Sequence, residues 1–246
     1  MLRRLLTQLA GVAVLIILWH LAATALGKPV LPTPLVAMEA FARDLPRELG
    51  GHFLISLARV AVSIAVSFFL AVPLGLFLGR EERLDRFIAP LIYVIYPIPV
   101  IVFLPVIMTF FGVGNFSKVL LIVIVVFFQL LVTTRDAAGQ VNSAVIDSVR
   151  SLGARTPDIY RHVIWPAALP KIFTALRIGS GTAIAVLFIA ETIASQEGLG
   201  YYLLDAWTQW HYPELYAGII AMGLMGFAVY TVIDFADRRF CPWEHL

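Results

Sequence analysis

Few residues in this chain have the types and spacing that bond-making chemistry requires. Its histidines, His20, His52, His162, His211 and His245, are scattered, and the single cysteine, Cys241, excludes an intrachain disulfide. No Cys/His cluster has metal-ligand spacing. No paired carboxylates and no nucleophile–base set fall at a common depth, so a membrane enzyme would lack its machinery. There is no GxxxxGK[ST] phosphate loop, and Gly112-Val113-Gly114 is only two glycines of a dinucleotide pattern. What remains is the chemistry of a conduit. Glu191 is the one acid well inside an apolar run, where a charge costs on the order of several kcal/mol and turns toward the protein interior. It either lines a path or pairs with a polar partner such as Arg59. Pro90, Pro97, Pro99 and Pro105 crowd another apolar run. Prolines leave carbonyls unpaired, tolerable at membrane depth only where protein or a water-filled cavity satisfies them. Such breaks often mark substrate sites, although a kinked packing helix reads the same way. Gln129 is a further lining candidate.

The elements that must position these residues are membrane helices. Hydrophobic residues make up 60% of the chain and charged ones 14%, against about a quarter charged in a soluble domain. That leaves too little polar surface for water alone, so lipid is part of the solvent. Apolar runs long enough to span occur at about 9–26, 53–79, 87–111, 119–134, 172–195 and 215–235. The first follows Arg3 and Arg4 and is too long for a signal-peptide core, which favours an uncleaved anchor. Lys28 to Gly51 reads as a polar loop holding Pro29, Pro32, Pro34 and Pro46. Gly75 and Gly79 form a GxxxG pair, the spacing of close helix packing. The expected fold is all-α, a polytopic bundle of about six spans. Residues 1–52 form an N-terminal span and outer loop, and 53–246 form the core.

Charge orients the spans. With the N-terminus inside, the cytoplasmic segments hold Arg3, Arg4, Arg80, Arg83, Arg86, Arg135, Arg150, Arg155, Arg161, Lys171, Arg238 and Arg239. The outer side receives Lys28, Arg43, Arg47 and Lys118. The positive-inside rule therefore predicts both termini in the cytoplasm, with Asp234 and Asp237 anchoring the inner end beside Arg238 and Arg239. The longest cytoplasmic stretch, 136–171, reads as two short amphipathic helices. Val145, Val149 and Leu152 share one face at i, i+4 and i+7. Gly153 breaks the pattern as a C-terminal glycine. Thr156 suits an N-cap, Pro157 the first helical position, and Asp158 the helix dipole. Ile159, Tyr160, Val163 and Ile164 make a second stripe, which Pro166 and Pro170 should end. Amphipathicity alone allows helices lying on the membrane surface.

At these residues the sequence resembles the cytoplasmic signature of binding-protein-dependent ABC permeases: Glu-Ala-Ala, three residues, Gly, nine residues, Ile, one residue, Leu-Pro. Here it reads Asp147-Ser148-Val149, Gly153, Val163 and Trp165-Pro166. The glycine, the proline and every spacing match, while the acid, both alanines, the isoleucine and the leucine are substituted. Pro166-Ala167-Ala168-Leu169-Pro170 is also typical. The likeness runs through most of the chain. Ser56-Leu57-Ala58-Arg59-Val60, Pro73-Leu74-Gly75-Leu76, Pro97-Ile98-Pro99, Leu104-Pro105, Phe111-Gly112-Val113-Gly114 with Lys118, Ala190-Glu191 and Glu197-Gly198-Leu199-Gly200 resemble the nitrate/sulfonate/taurine group.

That resemblance implies a non-catalytic permease subunit in the cytoplasmic membrane. Its loop, through Asp147, Ser148, Val149, Gly153, Val163 and Pro166, would dock on a separate ATPase, and Pro97, Pro99, Gln129 and Glu191 would belong to the pathway. The implied partners are an ATPase dimer that binds the ATP, a second permease copy (usually identical), an extracytoplasmic solute-binding protein and lipid. No cofactor, metal or nucleic acid is implied for the permease. The implied solute is a small anion such as a sulfonate, taurine or nitrate, with a pyrimidine or vitamin precursor as the alternative. An ion-coupled secondary transporter would need internal repeats and several intramembrane ionisable residues, which the sequence lacks.

Overall fold

The computed structural model describes residues 2–95, 97–193 and 195–244, with side chains except at 2–9, 82 and 93. The side chains of Arg3 and Arg4, and His245 altogether, lie outside it. Among the described residues the regular structure is helical: α1 (Leu2–Leu26), α2 (Pro34–Asp44), α3 (Gly50–Leu78), α4 (Glu82–Ile95), α5 (Leu104–Phe111), α6 (Asn115–Gly139), α7 (Ser143–Ser151), α8 (Thr156–Ile159), α9 (Trp165–Thr192), α10 (Leu199–Thr208) and α11 (Tyr212–Phe240). Four continuous helical runs are long and apolar enough to cross a membrane: Pro34–Leu78, Asn115–Gly139, Thr156–Thr192 and Tyr212–Phe240. Ala10–Leu26 and Val100–Phe111 are shorter apolar stretches. Phe69, Phe110 and Phe227 are exposed along these elements, as side chains that face acyl chains should be.

Three sequence expectations change. The polar loop at 28–51 is largely helical, because Pro34 sits at the first turn of α2, where its missing N–H costs nothing. Pro46 is absorbed in a π-helical turn, Leu45–Leu49, that leads into α3. The run at 87–111 is not one rod. Helix α4 stops at Ile95, residues 97–99 are non-helical, a 3₁₀ turn covers Val100–Phe103, and α5 follows. Pro97 and Pro99 cannot donate to the carbonyls four residues back, so the helix opens where they fall. Conversely, Pro166 and Pro170 do not end a helix. A π-helical turn over Tyr160–Ile164 joins α8 to α9, Pro166 lies in the first turn of α9, and Pro170 is carried inside it. The wider turn lies just before Pro166, where it relieves the clash that a proline imposes on the carbonyl four residues back.

The chain forms two compact units: residues 1–56 with 196–224, and residues 57–195 with 225–246. In the first, the Trp19 indole N–H donates to the Pro32 carbonyl at 3.0 Å, and its ring stacks on Tyr216 at 5.4 Å. Tyr202 donates to Asp44 at 3.0 Å, Arg43 bridges Asp44 and Glu214, and Ser56 accepts from the Leu199 N–H at 2.8 Å. Burial, and then the bond to Asp44, hold the Tyr202 phenol protonated well above its usual range. A Cβ at Gly218 would lie 2.7 Å from a Leu203 methyl, which is how closely α11 approaches α10.

The second unit is organised around α6 and α9. Leu121, Ile122, Val126 and Leu130 of α6 and Ile172, Ala183 and Leu187 of α9 are buried. Helix α3 and the turn just after it lay the small residues Ser63, Ser67, Ala71, Gly75 and Gly79, four apart, along α6. The first three are fully buried, and Ser67 donates to the Val123 carbonyl at 3.1 Å. A Cβ at Gly75 would lie 2.7 Å from Thr134 Cβ, and one at Gly79 would lie 2.8 Å from Ala138 Cβ. The GxxxG reading is therefore one of close backbone approach, extended by two serines and an alanine.

Candidate functional site

The loop at 136–171 is built from its ends inward. Asn142 caps α7, its Oδ1 accepting the Ala144 N–H at 2.9 Å. Ile146 is buried, whereas Val145 and Leu152 are exposed, Leu152 to 87%. Asp147 and Ser148 also face outward. The ion pair of Asp147 with Arg150, at 3.6 Å and well solvated, adds little stability. Helix α7 ends in a Schellman motif: Gly153 N–H donates to Arg150 O at 2.9 Å and Ala154 N–H to Val149 O at 3.3 Å. Gly153 has φ +90°, the positive value expected of a glycine between two helices, and a Cβ there would meet nothing within 4 Å of its own chain. Helix α8 begins one residue earlier than the Thr156 cap implied. Arg155 is the cap, and its N–H donates to Asp158 Oδ2 at 3.0 Å. The two stripes of the loop differ in environment. Ile159 and Ile164 are buried and Val163 and Pro166 half-buried, while in the α7 stripe Val145 and Leu152 lie open and Val149 is half-buried.

The helix break opens onto a cavity of about 400 Å³ walled by residues 95 and 97–101, Val125, Phe128, Gln129, Thr182 and Val186. Pro97, Pro99 and Gln129 therefore meet in one place. Gln129 reaches it from α6, close to Gly179 of α9, where a Cβ would lie 3.5 Å from the amide oxygen. Among the described residues of the wall, the polar side chains are Gln129 and Thr182. The other described side chains of the wall are apolar.

Glu191 is not among those walls. It is fully buried at the end of α9, and its Oε1 accepts from Arg59 Nη1 at 2.6 Å, with Arg59 itself buried. Arg59 Nε also donates to Asn115 Oδ1 at 2.8 Å. The pair thus joins α3, the start of α6 and the end of α9. Nearby, Lys118 Nζ donates to the Val113 carbonyl at 2.9 Å, and Ser117 to that of Gly112, fastening the α5–α6 turn. A buried pair of this kind is held by geometry, because desolvation consumes most of its Coulomb attraction.

Sequence reasoning missed several partners. Asp234 and Asp237 are not simple interfacial anchors beside Arg238 and Arg239. Arg238 does pair with Asp234, at 2.8 Å, but Arg177 of α9 also reaches both acids, at 3.3 Å and 3.1 Å. Arg135 pairs with Asp85, and Lys171 reaches Gln140. These contacts cross between helices, so no local spacing announces them. Cys241 is packed against this end, and burial together with Asp237 pushes its thiol up to about 12. Among the described residues no group of His, Cys, Asp or Glu could hold a metal.

Comparison with known proteins places this geometry. The chain is 32% identical over 227 residues to a probable ABC transporter permease of Brucella abortus (strain 2308), covering 92% of this chain and 90% of that one. It is 29% identical to the formylaminopyrimidine transport permease ThiX of Halalkalibacterium halodurans, covering 94% and 92%. It is also 29% identical to the taurine transport permease TauC of Escherichia coli (strain K12), covering 98% and 91%. A chain of the MetNI methionine ABC transporter, solved in an inward-facing conformation, shares the fold with a TM-score of 0.67 at 18% identity, over 76% of this chain and 93% of that chain. Residues 71–243 match the family of binding-protein-dependent transport system inner membrane components, and the chain belongs to that family as the permease subunit of an ABC-type importer.

Proposed function

We propose that this permease carries a small solute inward as one of two copies, probed from outside by a solute-binding protein and driven from inside by two ATPase subunits that bind the ATP. Loop 136–171 is the docking element for the ATPase. Asp147, Ser148 and Val149 lie on α7, Gly153 turns the chain, and Val163 and Pro166 carry it into α9. The observation that carries this reading is the open apolar stripe of α7, Val145 and Leu152 above all, ending at a glycine with φ +90° and no neighbour in its own chain. Such a surface is expected to be covered by a partner. Both termini are cytoplasmic, a reading supported by the arginine asymmetry.

The cavity at Pro97, Pro99 and Gln129 belongs to the translocation pathway, and Glu191 serves that pathway by fixing the wall helix α9 instead of lining it. The solute is a small anion or zwitterion of the taurine and sulfonate kind. A second reading, a pyrimidine precursor, is favoured by the equal identity to the formylaminopyrimidine permease. Reconstitution of the complete transporter with its binding protein, followed by ATP-dependent accumulation of labelled taurine against labelled formylaminopyrimidine, separates the two. Accumulation of either without ATP would overturn the importer mechanism.

A further inference from the structure

Helix α10 ends as α7 does, with one difference. Trp210 N–H donates to Trp207 O at 3.2 Å and His211 N–H to Ala206 O at 2.8 Å, the paired bonds of a Schellman end. At the position that Gly153 occupies in α7 stands Trp210, with φ +62°. It is the only residue other than glycine with positive φ among the described residues. A Cβ crowds the backbone in this region, and for a bulky residue the conformation is an outlier. Burial does not compensate it. Trp210 is 73% exposed, meets Tyr212 edge-on at 6.2 Å, and shares its turn with Trp207, which is 59% exposed. A strained backbone that presents an indole to the outside points to a function for that indole.

The surrounding charge selects among occupants. Residues 196–216 contain Glu197, Asp205 and Glu214 and no lysine or arginine, Glu214 being paired with Arg43 of the same unit. Electrostatic attraction to an anionic bilayer surface needs lysines or arginines, and this segment has none. An acidic, aromatic turn instead suits a protein pocket with a basic rim, and exposed tryptophans are the typical centres of such interfaces. In sequence, one apolar run separates it from the arginine-rich stretch 136–171, so the positive-inside rule assigns it to the outside.

We propose that Trp210, seconded by Trp207, is the anchor on which the extracytoplasmic solute-binding protein docks, through an apolar pocket rimmed by lysine or arginine. This rests on the importer reading above. The test uses the complete transporter in nanodiscs and the purified binding protein encoded with it, with affinity followed by biolayer interferometry and folding by thermal melting. Trp210→Gly should weaken binding about tenfold or more while leaving the melting temperature equal or higher, since glycine fits φ +62° without strain. Trp210→Phe should keep most of the affinity. Wild-type affinity in Trp210→Gly would overturn the proposal. So would a lower melting temperature, which would make Trp210 part of the fold. Unchanged affinity with poorer retention in phosphatidylglycerol nanodiscs would make it a lipid anchor. A wild-type transporter that binds no binding protein would instead overturn the importer reading itself.

Discussion

Replacing Gly153 separates a docking loop from a helix pair that merely lies on the membrane. At φ +90° an L-residue pays about 1–2 kcal/mol relative to glycine. The added side chain meets nothing within 4 Å of its own chain, so the spans and their packing are untouched. That conformational cost alone lowers the population of the loop geometry about 5- to 30-fold. Gly153→Ala should therefore weaken the ATPase by about this factor. Gly153→Leu should weaken it further, because the side chain projects toward whatever covers Val145 and Leu152. Titration of the purified ATPase onto permease in nanodiscs reads the affinity, and ATP-driven uptake should fall in parallel. Both variants should insert and express normally. Co-purification of the ATPase with Gly153→Leu at wild-type yield would refute the docking assignment, whereas a surface-lying helix pair would simply gain apolar area.

Glu191→Gln should lower the melting temperature and impair uptake while the ATPase still binds, because removing one member of a buried ion pair costs about 3–5 kcal/mol. Arg59→Met combined with Glu191→Met should recover most of that loss, and a double variant no more stable than the single one would show that the pair is not the cause. Gly75→Leu has no space beside Thr134 and Leu131, so the yield of monodisperse protein in detergent should collapse; a normal elution profile would count against the close α3–α6 approach. Cys241 should resist maleimide at pH 8 in the folded protein and react on denaturation. Its thiol is raised to about 12, so the reactive thiolate is scarce until pH approaches that value, and rapid native labelling would show the packing to be wrong.

Much of this was legible because membrane helices announce themselves by length and polarity. The Asp147–Pro166 spacing was legible too, since a glycine turn between short helices is a local device. What escaped was of two kinds. The cross-helix partners Asn115, Arg177 and Asp85 lie far in sequence from Arg59, Asp234 and Arg135, and no periodicity links them. The prolines misled in one direction only: the break suggested at Pro97 and Pro99 is there, whereas prolines that read as loop or stop signals lie in helix. Pro97 and Pro99 break a helix, while Pro34 starts one and Pro166 and Pro170 ride inside another. The outcome depends on whether the preceding turn can widen or has no donor to lose, and that is a property of backbone geometry that residue identity does not carry. The strained Trp210 escaped for the same reason: tryptophan gives no hint of positive φ.

The unbroken path from Thr156 through the π-turn to Thr192 is a 37-residue helical run, on the order of 50 Å long at about 1.5 Å per residue. One end belongs to the loop at 136–171. Thr182 and Val186 stand in the cavity wall, and Glu191 at the far end is clamped to Arg59. Such a rod is a lever with a fixed fulcrum. A swing of about 5° about the Glu191 clamp carries Thr156 through about 5 Å but moves Val186 by under about 1 Å. On the docking-loop reading, a large stroke at the loop would thus be geared down to a small, forceful displacement at the cavity.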